Sequence, residues 1–139
     1  MPALVFDPAT MSTGVDTVDA QHRQLIAMIN SLATALEAGD GGTDAVAKSL
    51  RELQGYTRSH FTHEEGCMAR ISCPVAKANQ LAHQTFLRSV EDLANDFART
   101  GPTRALAYKL QSSMGSWLKT HIVSTDTKMR TCVPAGVRM

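Results

Sequence analysis

A chain of 139 residues with 43% apolar and 19% charged side chains has the composition of one ordinary globular domain with room for a packed core. Its 14 basic and 13 acidic residues almost cancel and form no basic run, which excludes the usual charge signature of a nucleic-acid or anionic-membrane partner. No apolar stretch approaches the roughly 18 residues needed to cross a bilayer, so no membrane partner is expected.

Residues 1–15 hold Pro2, Pro8 and Gly14 without periodicity and are expected to form an irregular arm, packed through Val5 and Phe6. Met1 to Pro8 lacks a basic stretch followed by an apolar one, so no secretory signal is read. Cys67, Cys73 and Cys132 are then expected as free thiols in a cytoplasmic protein. Asp16 or Asp19 can cap a first helix over about 17–38, in which Val18, His22, Leu25, Ile26, Ile29, Leu32 and Leu36 recur at spacings of three and four. The run Gly39 to Gly42 stops it.

A second helix begins near Thr43 or Asp44 and carries Val46, Leu50, Leu53, Thr57, His60, Glu64 and Met68 on one stripe. Gly55 within it costs about 1 kcal/mol relative to alanine, and Gly66 is expected to loosen its last turns. Pro74 ends it. The third helix, about 75–99, places Asn79, His83, Phe86, Val90, Leu93 and Phe97 on one face. After Gly101-Pro102 a fourth helix carries Leu106, Leu110, Met114, Trp117, His121 and Ile122 towards Asp126, and Pro134 and Gly136 mark a loose tail from 129 onward. Four amphipathic helices with short connections predict an all-α, antiparallel up-down-up-down four-helix bundle, one domain over 1–139.

The histidines carry the chemistry. His22, His60, His83 and His121 each take a stripe position that would otherwise be apolar, one per helix. Several buried imidazoles without partners would be costly, so a shared partner is required, and a metal ion is one that neutral imidazole binds well. Glu64 lies four residues after His60, on the same helix face. A buried carboxylate needs a countercharge, which two cations bridged by Glu64 and Asp126 would supply. Asp126, five residues beyond His121, falls off-face on an ideal helix. Either the helix is distorted there or Asp126 is solvated.

The segments Val18-Asp-Ala-Gln-His22, Tyr56-Thr-Arg-Ser-His60-Phe-Thr-His-Glu64, Pro74 through His83, and Trp117-Leu-Lys-Thr-His121 through Asp126 resemble the bacterial hemerythrins over about residues 14–128. The resemblance implies a four-helix bundle holding two non-haem iron ions that bind dioxygen reversibly. It assigns His22 and His60 to the iron that receives dioxygen, His83 and His121 to the other, and Glu64 and Asp126 as bridges. The family's third helix carries HxxxH, whereas this chain has Asn79 four residues before His83. An amide oxygen is a weaker donor than imidazole, so Asn79 oxygen, a water or an open position is expected on that iron. His63 lies on the helix assigned to the first iron and is expected beside the centre or at the surface. Glu65 is expected as a solvated neighbour, and Leu25, Phe61, Phe86, Trp117 and Ile122 as a dry wall.

The expected protein is a monomeric oxygen carrier, store or sensor whose partner is dioxygen or another small diatomic or peroxide ligand. The alternatives are a peroxidase-type oxidoreductase acting on peroxide or nitric oxide, and an iron-buffering bundle.

Overall fold

Apolar residues three and four apart give each helix a face that must be covered, and in the computed structural model, which describes residues 3–38 and 43–132, these faces cover one another. A single turn, α1 (Pro8–Met11), precedes α2 (Asp16–Ala38), α3 (Thr43–Arg70) and α4 (Ala76–Thr100). The fourth column comprises α5 (Arg104–Lys109), a π-helical segment (Leu110–Gly115) and α6 (Ser116–Ser124), followed by a 3-10 turn (Asp126–Lys128) and α7 (Met129–Cys132). Helix α2 packs on α3 and on the fourth column, and α4 does the same from the opposite side. The result is the antiparallel four-helix bundle, with no strand among the described residues. The glycine stop at 39–42 and the residues Pro134 and Gly136 lie outside those described.

The arm is less irregular than expected. Asp7 caps α1 by accepting from Ala9 N, Pro8 occupies its first turn, and Met11 is buried. Asn30 pins the arm by exchanging hydrogen bonds of 2.9 and 3.0 Å with the Leu4 backbone. Phe6 packs under the Arg23 guanidinium, 4.3 Å from the ring centre, while Val5 is exposed. Asp19 does not cap α2 as anticipated. Its carboxylate reaches back to accept from Thr13 N at 2.9 Å and Thr13 Oγ1 at 2.8 Å, tying the arm to the helix. At the other end, residues 129–132 are helical rather than loose, with Met129 fully buried.

Polar and apolar layers alternate along the bundle. Leu25, Ile29, Leu32, Leu36, Leu53, Leu93 and Leu110 belong to a long apolar cluster. Burying one such side chain stabilises by about 1.5–3 kcal/mol. Val15, Val18, Cys67, Met68, Cys73 and Met129 form a smaller cluster. In each column the site histidine lies in sequence between residues of these two clusters, so the antiparallel packing brings all four histidines to one level.

The thiols differ from expectation. Cys73 and Cys132 form a disulfide with Cα atoms 5.4 Å apart, while Cys67 is free and buried. The bond links the chain just after α3 to α7. Disulfides persist under oxidising conditions, so free thiols no longer support a cytoplasmic location.

Helix α3 runs unbroken through Gly55 and Gly66, and a Cβ at either would meet nothing within 4 Å. Gly55→Ala is therefore expected to raise the unfolding free energy by about 0.5–1 kcal/mol in urea denaturation, through reduced freedom of the unfolded chain.

Candidate metal centre

All four stripe histidines point inward. His22, His60, His83 and His121 are buried, as are Glu64, Asn79 and Asp126. Helix α2 supplies His22, α3 supplies His60 and Glu64 one turn apart, α4 supplies Asn79 and His83, and α6 supplies His121. Asp126 enters differently. Helix α6 ends at Ser124, Thr125 departs from helical geometry (φ −117°, ψ −57°), and the 3-10 turn that follows redirects Asp126 inward. The break resolves its off-face spacing: Asp126 is 1% exposed, not solvated.

The two carboxylates divide their oxygens between two histidine pairs. Glu64 Oε2 lies 3.1 Å from His22 Nε2 and 3.3 Å from His60 Nε2, while Oε1 lies 3.2 Å from His83 Nε2. Asp126 Oδ2 lies 3.1 Å from His22 Nε2, and Oδ1 lies 3.2 Å from His121 Nε2. Two groups able to hold a cation result: His22, His60 and Glu64, and Glu64, His83, His121 and Asp126.

Asn79 sits between them. Its amide donates to Glu64 Oε1 at 3.0 Å, and its carbonyl accepts from His121 Nε2 at 2.6 Å. The side chain thus bridges a carboxylate and an imidazole within the cluster.

The chemistry of this donor set fits cations. His60 Nε2, His83 Nε2 and Asp126 Oδ1 are shielded from solvent and make no well-angled hydrogen bond, although a polar atom lies within 3.3 Å of each. Buried donors and acceptors left so are costly, and metal ions satisfy nitrogen lone pairs and carboxylate oxygens together. Burial alone would lower the His22 pKa, but hydrogen bonds and attraction from Asp126 and Glu64 raise it from 6.5 to about 9. At His60 burial outweighs Glu64, and the pKa is lowered. Burial would raise the Glu64 pKa, yet the close imidazoles of His22, His60 and His83 hold it well below the ordinary carboxylate range. The carboxylate is therefore ionised and ready to bridge.

Outer residues fix the rings. Gln21 Oε1 lies 2.7 Å from His60 Nδ1, and Glu65 Oε2 lies 3.0 Å from His83 Nδ1. Each contact leaves Nε2 facing inward. Phe61 stacks on His83 (3.6 Å between centres, 3° between planes), and Trp117 stacks on His121 at 4.6 Å and 12°. Leu25, Phe61, Phe86 and Ile122 are buried, and Trp117 is half-buried. His63 faces away from the cluster, 3.1 Å from Thr17 Oγ1 and 3.7 Å from Cys67 Sγ. Glu65, expected as a solvated neighbour, is half-buried and is also an imidazole partner. Its role and that of Gln21 depend on contacts between helices, and no spacing within α2 or α3 signals them.

The sequence matches the model of the hemerythrin HHE cation-binding domain over residues 13–132. It is 30% identical over 116 residues to a bacteriohemerythrin of Stenotrophomonas maltophilia, covering 84% of this chain and 72% of that one. A bacteriohemerythrin of Methylococcus capsulatus is 25% identical over 135 residues, covering 97% of this chain and 100% of the relative. The fold is similar to a wild-type hemerythrin crystal structure, with a TM-score of 0.79, 23% identity, and coverage of 94% of this chain and 98% of that one.

Proposed function

Because the chain belongs to the hemerythrin HHE cation-binding family, we propose that it is a non-haem di-iron protein that binds dioxygen reversibly, as a carrier, store or sensor. The observation that carries this reading is the division of the Glu64 and Asp126 oxygens between two histidine pairs. Such a division suits two bridged cations better than one. On this reading His22 and His60 would hold one ion and His83 and His121 the other, with Asn79 beside it, while Glu64 and Asp126 would be shared between the two and the first ion would be the one to receive dioxygen. Bound iron supplies the redox-active affinity for dioxygen. The protein orients the imidazoles through Gln21 and Glu65, keeps Glu64 ionised, and limits water access with Leu25, Phe61, Phe86 and Ile122. The protein ligands named on this reading all come from one chain, so the centre would need no second copy.

The test is spectroscopic. Iron-loaded protein, reduced without air, is expected to gain a visible absorption band on exposure to oxygen and lose it when oxygen is removed, over repeated cycles. A change that does not reverse, or sustained consumption of peroxide with a reductant, would favour an oxidoreductase instead.

Asn79 is the observation that favours this second reading, since an amide stands where the family has an imidazole. Asn79→His restores the HxxxH pair on α4 and is expected to slow iron release to a chelator several-fold and to reduce any peroxide consumption. Equal release rates for the two proteins would show that position 79 does not limit iron retention.

A further inference from the structure

The two halves of the centre have equal numbers of imidazoles: His22 and His60 in one, His83 and His121 in the other. Their outer partners are unequal. His60 Nδ1 meets the neutral carbonyl of Gln21 at 2.7 Å, whereas His83 Nδ1 meets the Glu65 carboxylate at 3.0 Å. Hydrogen bonds to an ionised acceptor are roughly twice as strong as neutral ones, and they push electron density through the ring to the opposite nitrogen. Glu65 is suited to this. Its side chain is 29% exposed and can remain solvated, while His83 is almost fully buried and feels the charge in a low-dielectric setting. Orientation does not rest on Glu65 alone, because Phe61 also holds the plane of the His83 ring in a near-parallel stack at 3.6 Å.

We propose that Glu65 is a positioning residue that acts through His83, making it the stronger donor and compensating for the imidazole that Asn79 does not supply. The proposal rests on the di-iron reading above. Gln21 marks the contrast: the half without an amide substitution has only a neutral partner on its α3 imidazole.

Glu65→Gln separates charge from shape, because glutamine retains an oxygen that can accept from His83 Nδ1. Wild type and variant would be loaded anaerobically with ferrous iron, and iron release to a chromogenic ferrous chelator followed alongside the reduction potential of the loaded protein. Release of one of the two ions is expected to accelerate about tenfold in Glu65→Gln, with the other unchanged. The potential should move positive as the anionic partner is lost. The reciprocal Gln21→Glu should slow release of the other ion. Thermal unfolding of metal-free Glu65→Gln should match wild type. The proposal is overturned if two ions bind and both leave Glu65→Gln at wild-type rates with an unchanged potential, a result that leaves the di-iron reading intact. It is also overturned if both ions leave faster together and the metal-free protein melts lower, which would mark a structural role. Failure of wild type to take up iron would overturn both readings.

Discussion

Glu64→Ala is expected to abolish binding of both metal ions. The Glu64 carboxylate is fully buried and touches His22 and His60 with one oxygen and His83 with the other. It is the one side chain common to both groups that can hold a cation. Its loss therefore removes a ligand from each half and one of the two buried carboxylates that offset the cations. His60→Ala touches only the first group and is expected to cost less metal. The metal-free protein should suffer too, because the Asn79 amide loses its acceptor, His22 loses one of its two carboxylate partners, and His83 loses the charge beside its Nε2. Breaking a buried pair by deleting one partner costs about 3–5 kcal/mol, with relief where an imidazole sheds its proton. Elemental analysis of the purified variant and urea denaturation of its metal-free form would measure the two effects separately. Full iron retention in Glu64→Ala would refute its bridging role.

Cys73→Ser is the second large effect. The Cys73–Cys132 bond closes a loop with a sequence separation of 59 residues. Constraining the unfolded chain over such a loop contributes about 4 kcal/mol in the chain-entropy description, and losing a native disulfide commonly costs about 2–5 kcal/mol. The bond anchors α7 six residues after Asp126, so its loss should also loosen the turn that carries that carboxylate. Urea denaturation of metal-free wild type and Cys73→Ser, in the absence of reductant, should show the difference. Equal unfolding free energies would mean that the bond contributes nothing to the folded state.

The four helices were legible because each stripe repeats at three and four, and the titratable residues on those stripes near the middle were those of the cluster. His22, His60, Glu64, His83 and His121 could be picked out for that reason, and Asn79 by its spacing from His83. Asp126 could not be placed by periodicity, because the chain leaves the helix at Thr125 and helical angles no longer apply. Glu65 was misread because its neighbour in sequence, Glu64, faces the centre, while its own partner His83 is on another helix. The pairing of Cys73 with Cys132 was likewise hidden: it depends on where α7 docks, and Met129 docks it by filling an apolar pocket that includes Cys73 and Met68. Local patterns reveal which face a residue occupies. Contacts between columns decide what that residue meets.

The most direct measurement is the iron stoichiometry of the intact chain. Metal-free protein would be titrated anaerobically with ferrous iron, freed of excess by gel filtration, and analysed for iron and protein. If Glu64 and Asp126 each bridge two histidine pairs, uptake should reach two iron ions per chain and fall close to none in Glu64→Ala. Saturation at one ion or fewer in the unmodified protein, with the fold intact, would contradict the di-iron centre.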